Sequence, residues 1–318
     1  MKILCITPIK HIAGLETNLR KIGALDILED PSEDDVKKII HNYDAIFTNP
    51  NKSKVYIGKN ILENAKKLKI VCTASTGTVH IDKEYLNLKK IKLLSLTKEL
   101  ATINKISSTA EHAFALMMAS IRKIVPAQQS TKNYIWNYEP YIGRQLNNLN
   151  ILIFGFGRLG KKFARYCDAF DSNIFVYDPY VEIDKKFNQV NNLDEVKSLI
   201  DVLSIHVHVT EETKYFFNKD FFKGCKDSLS IINTSRGELI NEDDLINFLK
   251  QNPKSSIASD VVDKEIFGFE NSSLFKFSLD SEQVLLTPHI AGMTSDAQEI
   301  AYNHAAYLLN EHVNNSND

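Results

Sequence analysis

The chain alternates short apolar runs with longer segments whose apolar residues recur at helical spacing. In the first hundred residues the apolar runs are "KILCITP", "AIFTN", "KIVCTAS" and "IKLLSL". Between them stand patterns such as "SEDDVKKIIHN", with Ser32 as helix N-cap and acids in the first turn. Strands that alternate with helices predict parallel sheets joined by crossover helices. From about residue 107 the pattern changes to a long helix, "SSTAEHAFALMMASIRKIV", stopped near Pro126. It is apolar on more than one face, which predicts burial between two bodies. A polar, aromatic stretch with the only tryptophan, "NYIWNYEPYIGRQLNN", leads into the further runs "LNILIF", "NIFVYD", "DVLSIHV", "SLSIINTS", "SSIASDV" and "QVLLTPH". The closing segment "SDAQEIAYNHAAYLLNEHV" reads as a helix and "NNSND" as a frayed tail.

Composition narrows the class without naming a chemistry. A chain of 318 residues is long enough for two domains with two cores. With 43% apolar and 25% charged residues it reads as globular, and no apolar run nears the ~18 residues of a membrane span. A net charge of −2 and a pI of about 6.5 give no field toward nucleic acid or anionic lipid, so neither is an expected partner. Cys5, Cys72, Cys167 and Cys225 are scattered, with no C-x-x-C and no metal-ligand spacing, which predicts reduced thiols in a cytoplasmic protein. "MKILCITPI" reads as a first strand rather than a signal peptide.

The first sharp motif is "ILIFGFGRLG", with Gly155, Gly157 and Gly160 spaced G-x-G-x-x-G. Alone it is weak, since glycines recur in turns for backbone reasons. Here an apolar strand precedes it, a helix pattern follows it, and Asp178 ends the next strand in "VYDPY". In a dinucleotide fold the first glycine makes the tight turn, the second admits a pyrophosphate, and the third lets helix and strand pack. Asp178 would accept hydrogen bonds from the adenosine ribose and repel a 2′-phosphate, so the expected cofactor is NAD rather than NADP. The alternative is a nucleotide-free strand–helix–strand unit with an incidental acid.

Three segments further on place ionisable residues at strand ends, where such sheets face their ligands. They are Arg236 in "INTSRGELIN", Asp260 and Glu265 in "ASDVVDKE", and His289 in "LLTPHIAG". Singly, each could be a surface arginine, a solvated acid or a loop histidine. Together with "STGTVHID", "STAEHAFALMMA", "IGRQLNNLNILIFGFGRLGKKFA", "DVLSIHVHVTEET" and "INTSRGELINEDDL", in this order, they resemble the D-isomer-specific 2-hydroxyacid dehydrogenases along most of the chain.

That resemblance implies an α/β fold of two Rossmann or flavodoxin-like, doubly wound parallel-sheet domains. Residues 1–103 and 291–318 would form the substrate-binding domain, with an NAD-binding domain, 104–290, inserted into it. The reacting groups would meet in the cleft between them. The implied reaction interconverts a D-2-hydroxyacid and its 2-oxoacid, with NAD as cofactor. His289 would be the acid and base, Glu265 would hold its tautomer and favour the imidazolium, and Arg236 would bind the substrate carboxylate. Substrate contacts would come from Ser75, Thr76 and Gly77 together with Arg236 and His289. Cofactor contacts would come from Thr76, Gly155, Gly157, Arg158, Leu159, Gly160, Asp178, His206, Thr213, Thr234, Asp260 and Gly292, those of Arg158 and Leu159 mainly through the backbone.

His112 reads as a packed residue of an interface. Three places depart from the family's pattern: His208 stands where proline is usual, His80 where asparagine is common, and "KEIFGFENS" lacks the proline that usually follows the glutamate. Lys52 and Lys54 would meet a phosphate or second carboxylate, as in 3-phosphoglycerate, or are solvated lysines. The chain ends without the regulatory domain of longer phosphoglycerate dehydrogenases, so glyoxylate, hydroxypyruvate and other 2-oxoacids stay open. The resemblance also implies a homodimer joined through the NAD-binding domains. A non-catalytic NAD-sensing scaffold, like the family's corepressors, is the alternative from another class. A formate dehydrogenase is disfavoured, because Glu265 stands where those relatives use an amide.

Overall fold

The computed structural model describes residues 1–53, 55–265 and 268–315. Lys54, residues 266–267 of the atypical loop and the last three residues of the tail lie outside the described residues. The chain divides into two compact units, Met1–Ile106 with Gly292–Asp318, and Ser107–Ala291.

The first unit holds β1 (Lys2–Cys5), β2 (Ala24–Ile27), β3 (Ala45–Thr48), β4 (Ile70–Thr73) and β5 (Lys92–Leu94). They form a parallel sheet in the order β2-β1-β3-β4-β5, the flavodoxin-like winding. Strand side chains alternate between two cores. Ile3, Cys5, Phe47 and Cys72 meet Leu15 and Leu19 on one face, whereas Leu4, Ile6, Ile46 and Val71 meet Val36, Ile40 and Ile61 on the other. Burial on both faces is why these strands are continuous apolar runs. The helix Glu33–Ile39 starts as its sequence predicts: Ser32 Oγ accepts from Asp35 N at 3.2 Å, and the Asp35 carboxylate accepts from Ser32 N at 3.1 Å. The closing helix, Ser295–Asn315, completes the first of these cores with Tyr302, Ala305, Ala306 and Leu309.

The second unit holds β6 (Asn150–Phe154), β7 (Asn173–Tyr177), β8 (Asn188–Gln189), β9 (Val202–Ile205), β10 (Ser230–Asn233), β11 (Ser256–Ser259) and β12 (Val284–Leu286). All pair in parallel, in the order β12-β11-β10-β9-β6-β7-β8. Counted from β6 this is the Rossmann order 3-2-1-4-5-6 with a seventh strand added. The winding reverses between β6 and β9, and ligands of such sheets bind beyond the strand C-termini at that point.

Two expectations need correction. The helix predicted to run to Pro126 ends at Ile121, and a second helix spans Ile124–Lys132. Lys123, between them, takes the left-handed conformation (φ 50°). Pro126 lies in the first turn of the second helix, where its missing N–H has no partner to lose. The edge strands β2 and β8 were not foreseen. In β2 only Leu25 is buried, and β8 is two exposed residues long, so neither leaves an apolar run to read.

Candidate active site

The glycine loop follows β6 at the point where the winding reverses. Gly155 has φ +96°, and a Cβ there would lie 2.7 Å from the His206 carbonyl oxygen and 2.5 Å from Val207 Cγ1. Gly160 packs against the Gly155 carbonyl, leaving no room for a side chain. Gly157 differs: a Cβ there would meet nothing within 4 Å. It caps the helix Arg158–Asp168, so open space lies beside a helix N-terminus with its unpaired N–H groups. Arg158 and Leu159 form the first helical turn, and burial lowers the Arg158 pKa. Asp178, just past β7, accepts from Phe156 N at 2.7 Å and from Tyr180 N at 2.9 Å. Its carboxylate thus braces the glycine loop from the neighbouring strand.

Beyond β9 and β10 the residues do different work. The His206 ring is turned inward, with Nε2 2.8 Å from Ser204 Oγ and the ring 5.0 Å from that of Phe163. Burial pushes its pKa down to about 3, so the ring is neutral. A role for His206 outside the sheet therefore belongs to its main chain. Thr213 Oγ1 donates to the His208 carbonyl and accepts from Thr210 N, closing the turn after β9. His208 has its pKa lowered by burial and by the charges of Arg236 and Arg158. Past β10, Asn233 closes the loop by accepting from Ser235 N and donating to the Arg236 carbonyl. Arg236 follows at once, with Nη1 2.6 Å from the Ser235 carbonyl. Thr234, beside it, is 7% exposed and its hydroxyl has no hydrogen-bond partner among the described residues.

The third group lies past β11 and β12. His289 Nδ1 is hydrogen-bonded to Glu265 Oε1, and both side chains keep part of their surface open. His289 holds a left-handed backbone, φ 52°, which is uncommon for a residue with a side chain. Asp260 is buried and accepts from Thr287 Oγ1 at 2.5 Å, Ile290 N at 2.9 Å and Ala291 N at 2.8 Å. Burial alone would raise its pKa, but the nearby His112 ring and the bonds from Thr287, Ala291 and Ile290 outweigh that and lower it. His112, read from sequence as a packing residue, has Nε2 2.9 Å from Thr287 Oγ1. Its only sequence signal was an ionisable ring within the block "STAEHAFALMMA". Among the described residues no cluster of three or more His, Cys, Asp or Glu could hold a metal.

Ser75, Thr76 and Gly77 belong to the first unit, at the C-terminal end of β4. Ser75 Oγ donates to the Gly77 carbonyl at 2.7 Å and meets Thr73 Oγ1 at 2.8 Å, and Thr73 in turn meets His80 Nε2 at 3.2 Å. Thr97 Oγ1 donates to the Thr76 carbonyl at 2.8 Å. His80, at the position where asparagine is common, thus supports this loop from beneath. Gly292 opens the return of the chain into the first unit. Lys52 is exposed.

The seven-stranded sheet, with a glycine loop where its winding reverses, has the architecture of a dinucleotide-binding domain. Residues 114–291 match the model of the D-isomer specific 2-hydroxyacid dehydrogenase NAD binding domain, more than half of the chain, and the chain belongs to that family. It is 30% identical to the D-3-phosphoglycerate dehydrogenase of Archaeoglobus fulgidus over 94% of this chain and 54% of that protein. It is 29% identical to that of Bacillus subtilis over 83% of this chain and 48% of the relative. The chain thus spans about half the length of these curated relatives. The structure superposes on D-lactate dehydrogenase from Aquifex aeolicus, solved with NAD and lactic acid, with a TM-score of 0.82 and 25% identity over 99% and 96% of the two chains. Among the described residues no helix is long and apolar enough to cross a membrane.

The second unit is an NAD-binding domain, and its residues fit that cofactor. The buried Thr234 hydroxyl lacks a partner among the described residues, and the space beside Gly157 is open where a helix N-terminus offers N–H groups to a diphosphate.

Proposed function

We propose that this protein is an NAD-dependent oxidoreductase that interconverts a D-2-hydroxyacid and its 2-oxoacid. The observation that carries the reading is the Glu265–His289 hydrogen bond at the strand ends of an NAD-binding domain. NAD held by the second unit would supply the hydride chemistry at the carbonyl carbon, in either direction. His289 gives a proton from Nε2 to the carbonyl oxygen as that bond is reduced. Glu265 accepts the Nδ1 proton, which fixes the tautomer and favours the imidazolium. Arg236 binds the substrate carboxylate through its planar guanidinium and polarises the adjacent carbonyl. The backbone of Ser75–Gly77 is assigned to the same carboxylate, and Asp178 to the adenosine ribose. Thr76, Thr234, Asp260 and Gly292 complete the cofactor contacts, with Arg158, Leu159, His206 and Thr213 contributing main chain.

The substrate is a short 2-oxoacid, with 3-phosphohydroxypyruvate, hydroxypyruvate and glyoxylate the first to test. The test is NADH consumption with each of these, with pyruvate and with longer 2-oxoacids. One or more should be reduced, with NADH preferred over NADPH. His289→Asn should lower kcat by about 100-fold or more, as loss of a general acid does, while NADH still binds. Near-normal turnover in that variant would overturn the assignment of His289. The protein is further proposed to be a cytoplasmic homodimer. Tyr134, Trp136, Tyr138 and Ile142 form a strongly exposed apolar segment of the NAD-binding domain that suits a second copy.

A further inference from the structure

Three side chains far apart in sequence meet behind the loop that carries His289. Thr287 Oγ1 donates its single proton to Asp260 Oδ1, so its 2.9 Å contact with His112 is a bond donated by the ring's Nε2–H. A directed chain results: His112 Nε2–H to the Thr287 hydroxyl, and that hydroxyl to the Asp260 carboxylate. His112 Nε2 also lies 3.5 Å from Asp260 Oδ1. The same carboxylate accepts from the main chain of Ile290 and Ala291. His289 is therefore bracketed by bonds to one buried acid, from residue 287 on one side and from 290 and 291 on the other. Its own N–H donates to the Asp260 carbonyl at 2.9 Å.

This bracketing accounts for the left-handed backbone of His289. Such a conformation is costly for a residue with a side chain and persists where surrounding bonds over-determine it. We propose that His112 is a positioning residue for His289, acting through Thr287 and Asp260. His112 stands on the helix Ser108–Ile121, whose Ala110, Ala113 and Met117 are wholly buried, so the chain of bonds ties the loop to a fixed part of the core. A residue that merely filled space would need no donor at Nε2. Aim of the imidazole is what a proton donor needs, since small displacements at a reacting centre cost rate.

The inference rests on the proposed role of His289, and its test has one readout that needs no turnover. His112→Phe keeps the ring's bulk and removes the donor, His112→Gln keeps a donor, and Thr287→Val removes the middle link. For each variant, kcat, KM for the best 2-oxoacid, the NADH dissociation constant and the amide exchange rates of Ile290 and Ala291 are measured. His112→Phe should lower kcat by about tenfold with KM and NADH binding within about twofold, the pattern of a lost transition-state interaction. His112→Gln should restore most of the rate. Thr287→Val should match His112→Phe, and the double variant should be little worse than either, because both break one chain. Faster exchange at Ile290 and Ala291 should accompany the loss. Wild-type kcat and unchanged exchange in a folded His112→Phe protein would overturn the proposal, as would losses that multiply in the double variant. If no 2-oxoacid is turned over by the wild type, the dehydrogenase reading fails by itself. Exchange at the two amides then still decides whether His112 holds the loop.

Discussion

Gly155 and Gly157 stand two positions apart in one motif and are glycines for different reasons. At Gly155 the protein's own atoms forbid a Cβ, because φ is +96° and the His206 carbonyl and Val207 close the space. At Gly157 none of the described residues comes near enough to forbid it. Gly155→Ala should therefore destabilise the fold, by about 2–4 kcal/mol for a strained backbone and a blocked contact. Gly157→Ala should keep the wild-type melting temperature and lose NADH affinity, since its methyl enters the space assigned to the diphosphate. Melting curves and NADH fluorescence titrations separate the two, and tight NADH binding by Gly157→Ala would remove the diphosphate from that position. His206 gives a second residue-scale expectation. With its pKa held near 3 against an ordinary 6.5, the native chain binds fewer protons than the unfolded one between those values. Stability then rises with pH across that window, so this contribution is complete above about pH 6.5 and fades as the pH falls toward 3. Thermal unfolding followed from pH 7.5 to 4 should show the decline, and His206→Phe should flatten it; an unchanged slope would assign the acid sensitivity to other groups.

At the scale of elements, what could be read in advance was set by burial. Strands buried on both faces, such as β1, β4, β6 and β10, left unbroken apolar runs, and the cap at Ser32 marked the start of its helix. The half-exposed β2 and the two-residue β8 left none. The break at Lys123 was likewise silent, because "IRKIV" contains neither glycine nor proline at the turn. Candidate site residues followed the same division. Arg236, Glu265 and His289 announced themselves by motif, whereas the link from His112 to Thr287 joins residues 175 positions apart and exists only in the folded chain. The exposed segment after the broken helix carries its own expectation. Tyr134 is fully exposed and Trp136 is 93% exposed, which suits a surface covered by a second copy. Sedimentation at micromolar concentration should give a dimer, and Trp136→Lys with Tyr138→Lys should give a folded monomer. A wild-type monomer at that concentration would withdraw the assignment.

The whole molecule shows why its most recognisable motif lies near the middle of the chain. The NAD-binding unit is a single uninterrupted stretch, Ser107–Ala291, whereas the first unit is made from the segments on either side of it. The family resemblance implied an inserted domain, but only the packing shows what the returning piece contributes. Tyr302 is wholly buried against Phe47 and within reach of Thr7, and Ala305, Ala306 and Leu309 seal the same core over Leu15, Leu19 and Cys72. Part of one face of that sheet is thus covered by residues that follow the NAD-binding unit in the chain. On the ribosome, the first unit's sheet emerges ahead of the NAD-binding unit and must wait with part of this face uncovered while that unit is translated, and the later unit has its whole core in hand before the earlier one does. The order of synthesis and the order in which the two cores are completed run in opposite directions.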